Sequence, residues 1–151
     1  MLDTSSSSMS REDICSSLAC SDAVALETLI NSLIARGTIA NIEMIRPPST
    51  GTIQMQVREP ICEERFIVGD ALVTIAEVSV NGTLGWAMRL GGDANAAVAA
   101  AVADAHIARV GLEGVPELAE LISYTQLELN RTEEREWTEI RETIIDFEEL
   151  D

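Results

Sequence analysis

Apolar residues recur at helical spacing in the first quarter of the chain. Leu26, Leu29, Ile30, Leu33 and Ile34 stand at i, i+3, i+4, i+7 and i+8, which predicts an amphipathic helix from about Asp22 to Arg36, closed by Gly37. A shorter helix is predicted before it. Ser10 with Asp13 three residues later matches a capping box, and Ile14 and Leu18 follow on one face. Upstream, residues 1–9 include the polar run Ser5 to Ser8 and have little to bury, so they are expected to form a disordered tail, with order beginning near Ser10.

The period then changes from 3.6 to 2. Ile53, Met55 and Val57 alternate with Thr52, Gln54, Gln56 and Arg58, the pattern of a half-buried strand. Asn41 to Arg46 is the expected partner, joined to it through Pro47, Pro48 and the Ser49-Thr50-Gly51 turn as a first hairpin. A second hairpin is expected from Leu72 to Val80 and Thr83 to Leu90, because Asn81-Gly82 between them suits the positive φ angles of a type I′ turn. On its second strand Leu84, Trp86, Met88 and Leu90 share a face. Beyond it the pattern is helical again. Ala94 to Val110 is Ala-dominated. Pro116 opens a stripe of Leu118, Leu121, Ile122, Thr125 and Leu129, and a last helix is expected from Thr132 with a narrow seam of Trp137, Ile140, Ile144 and Phe147. The fold class read from this order is α+β. Residues 10–151 form one domain, with an antiparallel sheet of about four strands in two hairpins, N-terminal helices and a C-terminal helical region.

Charge narrows the choice of partners. Among 151 residues there are 26 acidic and 10 basic side chains, a formal net of -16, and every basic residue is Arg. Such a chain repels phosphate backbones and anionic headgroups, which argues against nucleic acid and membrane surfaces and for a basic protein partner. The N-terminus lacks the apolar stretch of a secretory signal, and the longest apolar run, Ala96 to Ala103, is far short of the ~20 residues that span a bilayer, so a cytoplasmic protein is expected. Cys15, Cys20 and Cys62 are odd in number and lack Cys-x-x-Cys spacing, and are expected to be reduced, buried and structural.

Candidate chemistry is sparse. His106 is the single histidine, so any Ser-His, Cys-His or multi-histidine metal site would have to be built on it; in an Ala-rich helix it reads as a partly buried or surface imidazole. Gly91-Gly92-Asp93 before a helix invites a phosphate-cradle reading, yet it lacks the Gly-Lys-Ser/Thr ending of a P-loop, and Asp93 reads as a helix cap. The carboxylates between Glu133 and Glu149 read as a solvated helix face. No catalytic, cofactor-binding or metal-binding residue is assigned, and interaction is the residue-level expectation.

The order of several short segments adds a specific resemblance. Thr50-Gly51-Thr52-Ile53-Gln54-Met55-Gln56-Val57-Arg58, then Glu64-Arg65-Phe66, Gly69-Asp70, Gly82-Thr83-Leu84-Gly85, Asp93 and Asp104-Ala105, with a terminal Asp146-Phe147, resemble the PhnG family, component G of the bacterial carbon-phosphorus lyase system. The likeness is strongest over Ala40 to Ala105. Family basic groups are replaced by Ile75, Gly92 and Ile144, a family histidine by Ala96 and a second terminal aromatic by Glu148, so a phosphate-contacting role for those groups does not carry over, although Arg89 lies near enough in sequence to compensate.

The resemblance implies an accessory subunit of the C-P lyase core complex in organic phosphonate catabolism. In that system a phosphonate is transferred to C1 of the ATP ribose with displacement of adenine, giving a ribose 1-phosphonate 5-triphosphate. The chemistry is attributed to the large subunit, component I, against which component G packs. A separate subunit uses S-adenosylmethionine with an iron-sulfur cluster to break the carbon-phosphorus bond later. The implied role is that of a transferase-complex subunit without catalysis of its own. The alternative is a stand-alone phosphonate- or phosphate-binding domain or enzyme in which Arg58, Arg65 and Arg89 converge. Candidate interface or anion contacts are therefore Arg58, Arg65, Trp86, Arg89, Trp137, Ile140, Ile144 and Phe147.

Overall fold

The computed structural model describes residues 9–59 and 61–142. The expected tail at residues 1–8 lies outside them, as do Ile144 and Phe147 of the C-terminal seam; Met9 packs against the core. The N-terminal helices form as their caps dictate. Helix α1 (Arg11–Cys20) begins at Ser10, whose hydroxyl accepts from the Asp13 N–H while the Asp13 carboxylate accepts from the Ser10 N–H. Helix α2 (Ala23–Ala35) is capped by Asp22 and buries Leu26, Ile30 and Leu33, and Gly37 beyond its end takes a φ of 74°.

Among the described residues the sheet has three strands, where about four were expected. Strand β1 (Ile42–Arg58) runs through Pro47, Pro48 and Gly51, where a hairpin turn was expected, and pairs antiparallel with β2 (Arg65–Val80) along its whole length. Successive strand residues address opposite sides, so the open side of this edge strand accommodates only one of the two missing N–H groups, and both prolines are left without a ladder partner. The ladder absorbs them as register shifts between Met44 and Arg46 and between Arg46 and Ser49. The second hairpin is as expected. Strand β3 (Thr83–Leu90) returns along Val73 to Val80 through Asn81 and Gly82, at φ 50° and 82°. The order is β1-β2-β3.

Helix α3 (Ala94–Val110), capped by Asp93, covers one face of β2 and β3. Both surfaces are made of small side chains: Ala97, Ala100, Ala101 and Ala105 from the helix, and Ala76, Val78, Val80, Gly85 and Ala87 from the sheet, all buried. Small on small brings the two backbones close, and this explains the Ala-rich run. A single 3-10 turn (Leu112–Gly114) leads into α4 (Pro116–Glu142), which is one continuous helix across the expected break at Thr132. Leu118, Ile122 and Thr125 bury its first half, whereas Asn130 to Arg141 are exposed throughout. At 1.5 Å per residue the exposed second half runs roughly 18 Å.

Candidate functional site

Side chains on a strand alternate between faces, and cross-strand partners share one. Thr74, Ala76, Val78 and Val80 face the helices, so Val73, Ile75, Glu77 and Ser79 face away, and with them their partners Leu90, Met88, Trp86 and Leu84 on β3. On β1 the register adds Gly51 and Ile53 to the same outer face, with Met55 and Val57 following by alternation. The apolar periodicity of these strands therefore does not mark the core side. Leu84 is 63% exposed, Trp86 47% and Leu90 73%, and Ile53, Met55 and Val57 are exposed as well. On β1, where a half-buried strand was expected, the period is correct but neither face is buried, because Thr52, Gln54, Gln56 and Arg58 are exposed too; only on β2 and β3 does a core side form, mostly of alanine, glycine and valine.

Past Val73 the β3 strand ends, and β1 and β2 continue as a two-stranded arm to Arg58 and Arg65. Phe66, Ile67, Val68 and Leu72 on it are exposed. At the tip the Arg58 guanidinium lies 3.9 Å from the Glu63 carboxylate, and Arg58 and Arg65 are direct cross-strand partners.

Arg89 is nowhere near them. It sits opposite Thr74, nine residues along β2 from Arg65, roughly 25–30 Å at 3.3 Å per residue. Its side chain is buried beneath α1, where it donates to the Leu18 carbonyl, the Ser21 hydroxyl at 3.1 Å and the Ser21 carbonyl at 2.5 Å. A cation at carbonyls left unpaired by a helix end is a C-terminal cap supplied from the sheet. Burial lowers the Arg89 pKa from its usual value, opposed by nearby Cys20 and then by the carboxylates of Asp93, Asp22 and Glu27. The structure thus brings Arg58 and Arg65 together and commits Arg89 elsewhere.

Asp104, in the sequence no more than one residue of a short motif, is the most connected polar group described. It is 2% exposed. Its carboxylate accepts from Arg11 Nε at 3.3 Å and Arg11 Nη2 at 2.8 Å, from the Trp86 backbone N–H at 3.1 Å and from Cys15 Sγ at 3.4 Å. Asp104 therefore ties α1, α3 and the open edge of β3 together, and its hydrogen bonds raise the Arg11 pKa. Burial, with Asp104 beside it, pushes the Cys15 thiol up as well, which keeps it protonated and unreactive. The expectation of buried cysteines fails for Cys20 and Cys62, which are exposed, and Cys15 is half-buried.

His106 is buried outright rather than partly, and its Nδ1 has no hydrogen-bond partner. Burial is the main cause of its lowered pKa, and Arg109 adds to it. Among the described residues no three His, Cys, Asp or Glu side chains gather as a metal site, and no single helix is long and apolar enough to cross a membrane. Trp137 and Ile140 lie on the projecting half of α4, 57% and 51% exposed.

Apolar side chains spread over one sheet face, an unsupported arm and a projecting helix are surfaces that other protein would cover. A match to the family of the phosphonate metabolism protein PhnG extends over residues 9–150, nearly the whole chain. The chain belongs to the PhnG family. Its role is accordingly in phosphonate metabolism. The PhnG segments singled out in the sequence acquire structural reasons here: Gly82 completes the β2–β3 turn, Gly85 lets α3 approach, Asp93 caps α3 and Asp104 joins three elements. Asp104 and Arg11 carry no paired signal in the sequence because they stand 93 positions apart, and only the fold brings them together.

Proposed function

We propose that this chain is an accessory, structural subunit of the carbon-phosphorus lyase core complex in the cytoplasm. There it supports transfer of a phosphonate to C1 of the ATP ribose with displacement of adenine, and it docks chiefly on the large subunit, component I. In this reading ATP is handled by the complex, and S-adenosylmethionine with its iron-sulfur cluster by a separate subunit.

The observation that carries the reading is the exposed apolar side chains on the outer face of the sheet, Ile53, Met55 and Val57 on β1 and Leu84, Trp86 and Leu90 on β3, on either side of a largely covered β2. Single exposed apolar residues are ordinary on a monomer, but six of them on one sheet face mark an interaction site. The -16 formal charge favours a basic surface opposite it, which speeds encounter and orients the partners. A stand-alone phosphonate-binding domain would need its guanidiniums at one place, and the burial of Arg89 under α1 speaks against that alternative.

Affinity purification of the tagged chain from phosphate-starved cells tests the reading. The expected result is recovery with the other core subunits, and adenine release from ATP and methylphosphonate by the assembled complex and not by the chain alone. Adenine release by the purified chain would overturn it, as would its recovery as a monomer free of those subunits.

A further inference from the structure

Strand β2 is 16 residues long and the strand that covers it only 8. β3 pairs with Val73 to Val80 and stops at Leu90. The chain then turns away at Gly91, whose N–H donates to the Leu72 carbonyl at 2.9 Å. From Arg65 to Ala71 the described pairing of β2 is on one side only, with β1. Successive residues of an antiparallel strand address opposite neighbours. The Leu72 carbonyl addresses the β3 side, so the N–H and C=O of Asp70 point to that side too, where β3 is absent. The gap is in line with β3 and roughly 23 Å long at 3.3 Å per residue.

We propose that this open edge of β2, Arg65 to Ala71, receives an extended basic segment of a neighbouring subunit as an added strand, end to end with β3. The inference rests on the subunit reading above. A two-stranded ribbon is marginal in water without a third strand or a helix against it, and here exposed Phe66, Val68 and Leu72 give an incoming strand apolar side chains to pack beside. Charge selects the occupant. From Arg58 to Leu72 the arm carries Glu59, Glu63, Glu64 and Asp70 against Arg58 and Arg65, on a chain of net -16. On the edge itself Arg65 and Asp70 balance, so the repulsion between two copies comes from the rest of the arm and of the chain, both net negative. A segment bearing Lys or Arg is attracted instead, and main-chain hydrogen bonds hold its register.

Hydrogen–deuterium exchange over Arg65 to Leu72, in the isolated chain and in the assembled complex, provides the test, with Asp70→Pro and Asp70→Ala as variants. Proline removes the outward N–H and blocks the edge, whereas alanine removes only the carboxylate. The expected result is exchange in this segment slowed about tenfold or more on assembly. Asp70→Pro, with the circular dichroism spectrum of the wild type, should lose about tenfold of the recovered complex while Asp70→Ala retains most of it. If the wild type assembles with its arm unprotected, strand addition is overturned and the subunit reading stands, whatever the proline variant does. Failure of the wild type to assemble removes both. An isolated chain that sediments as a dimer with a protected arm makes the occupant a second copy and overturns the basic partner.

Discussion

A methyl group placed on Gly85 would stand 2.4 Å from the backbone nitrogen of Ala105 and 2.6 Å from its Cβ. The Ala101 carbonyl is as near, at 2.4 Å, so backbone as well as side chain would have to move. Helix α3 rests on β3 at the closest distance a glycine allows, and the rest of the layer is alanine and valine to match. Gly85→Ala should therefore force α3 off the sheet and destabilise the fold by roughly 1–3 kcal/mol or more. Gly92→Ala is the control, since nothing lies within 4 Å of an added Cβ there, and it should change stability by less than about 0.5 kcal/mol. Urea midpoints with unchanged slopes decide it; equal midpoints for the two variants would mean that α3 does not sit where described.

The Asp104 cluster should respond asymmetrically. Arg11→Ala leaves a buried carboxylate with only the Trp86 N–H and the Cys15 thiol, and an uncompensated buried charge costs about 3–5 kcal/mol. Asp104→Ala leaves Arg11, which is mostly exposed and can turn to solvent, so its cost is mainly the unpaired Trp86 N–H, about 1–3 kcal/mol. The double variant should be no less stable than Arg11→Ala alone. A double-mutant cycle by chemical denaturation measures this, and additive losses would show that the two side chains act independently.

What the sequence made legible was local. Ser10 with Asp13, Asp22, Asp93 and the Asn81-Gly82 turn announce themselves within a few residues, because a cap or a tight turn is satisfied by its immediate neighbours. Pro47 and Pro48 misled for the same reason. Their local preference is for a turn, and the position of β1 at the sheet edge together with the register shift between Arg46 and Ser49 allows them inside a strand. Periodicity found the apolar face bearing Trp86 and Leu90, but it cannot say whether this chain or another covers that face. The pairings that organise the candidate surface, Arg11 with Asp104 and Arg89 with Leu18 and Ser21, join segments 68 or more positions apart, and nothing in either partner's surroundings announces the other.

His106 gives the fold a pH dependence whose sign follows from its burial. The folded pKa lies below the usual value of 6.5, so in the window between them the unfolded chain binds a proton that the folded one does not. Stability from this group is complete above about pH 6.5. It falls as the pH drops below that, by at most ~1.4 kcal/mol per pH unit for one proton, until the folded pKa is reached. His106→Leu should flatten the stability curve between pH 6.5 and 5, and denaturation midpoints across that range measure it. An unchanged slope would place the acid sensitivity in the carboxylates.

The projecting half of α4 should be dispensable for folding and required for assembly. Its described residues from Asn130 to Arg141 are all exposed, while the buried anchors Leu118, Ile122 and Thr125 lie before that point. Trp137 also turns away from those anchors, whereas Ile140, eighteen residues past Ile122, returns to their line. At 100° per residue Trp137 lies roughly 60–120° around the helix from buried Leu118, Ile122 and Thr125. An indole so placed packs against something other than the domain that carries it, and burying a side chain of that kind contributes roughly 1.5–3 kcal/mol. Five glutamates from Glu133 to Glu142 stand against Arg135 and Arg141, which suits a basic rim around the contact. A chain ended after Asn130 should keep its cooperative melting, with a Tm lowered by no more than a few degrees, because the described side chains it loses, Arg131 to Arg141, are all exposed. It should fail to co-purify with the other subunits, and Trp137→Ala in the full chain should weaken recovery in the same direction. Unfolding of the truncated chain would make the distal helix part of the core. Normal co-purification of a folded, truncated chain would leave docking to the sheet face around Trp86, and Trp86→Ser with Leu90→Ser would then be the substitutions that abolish it.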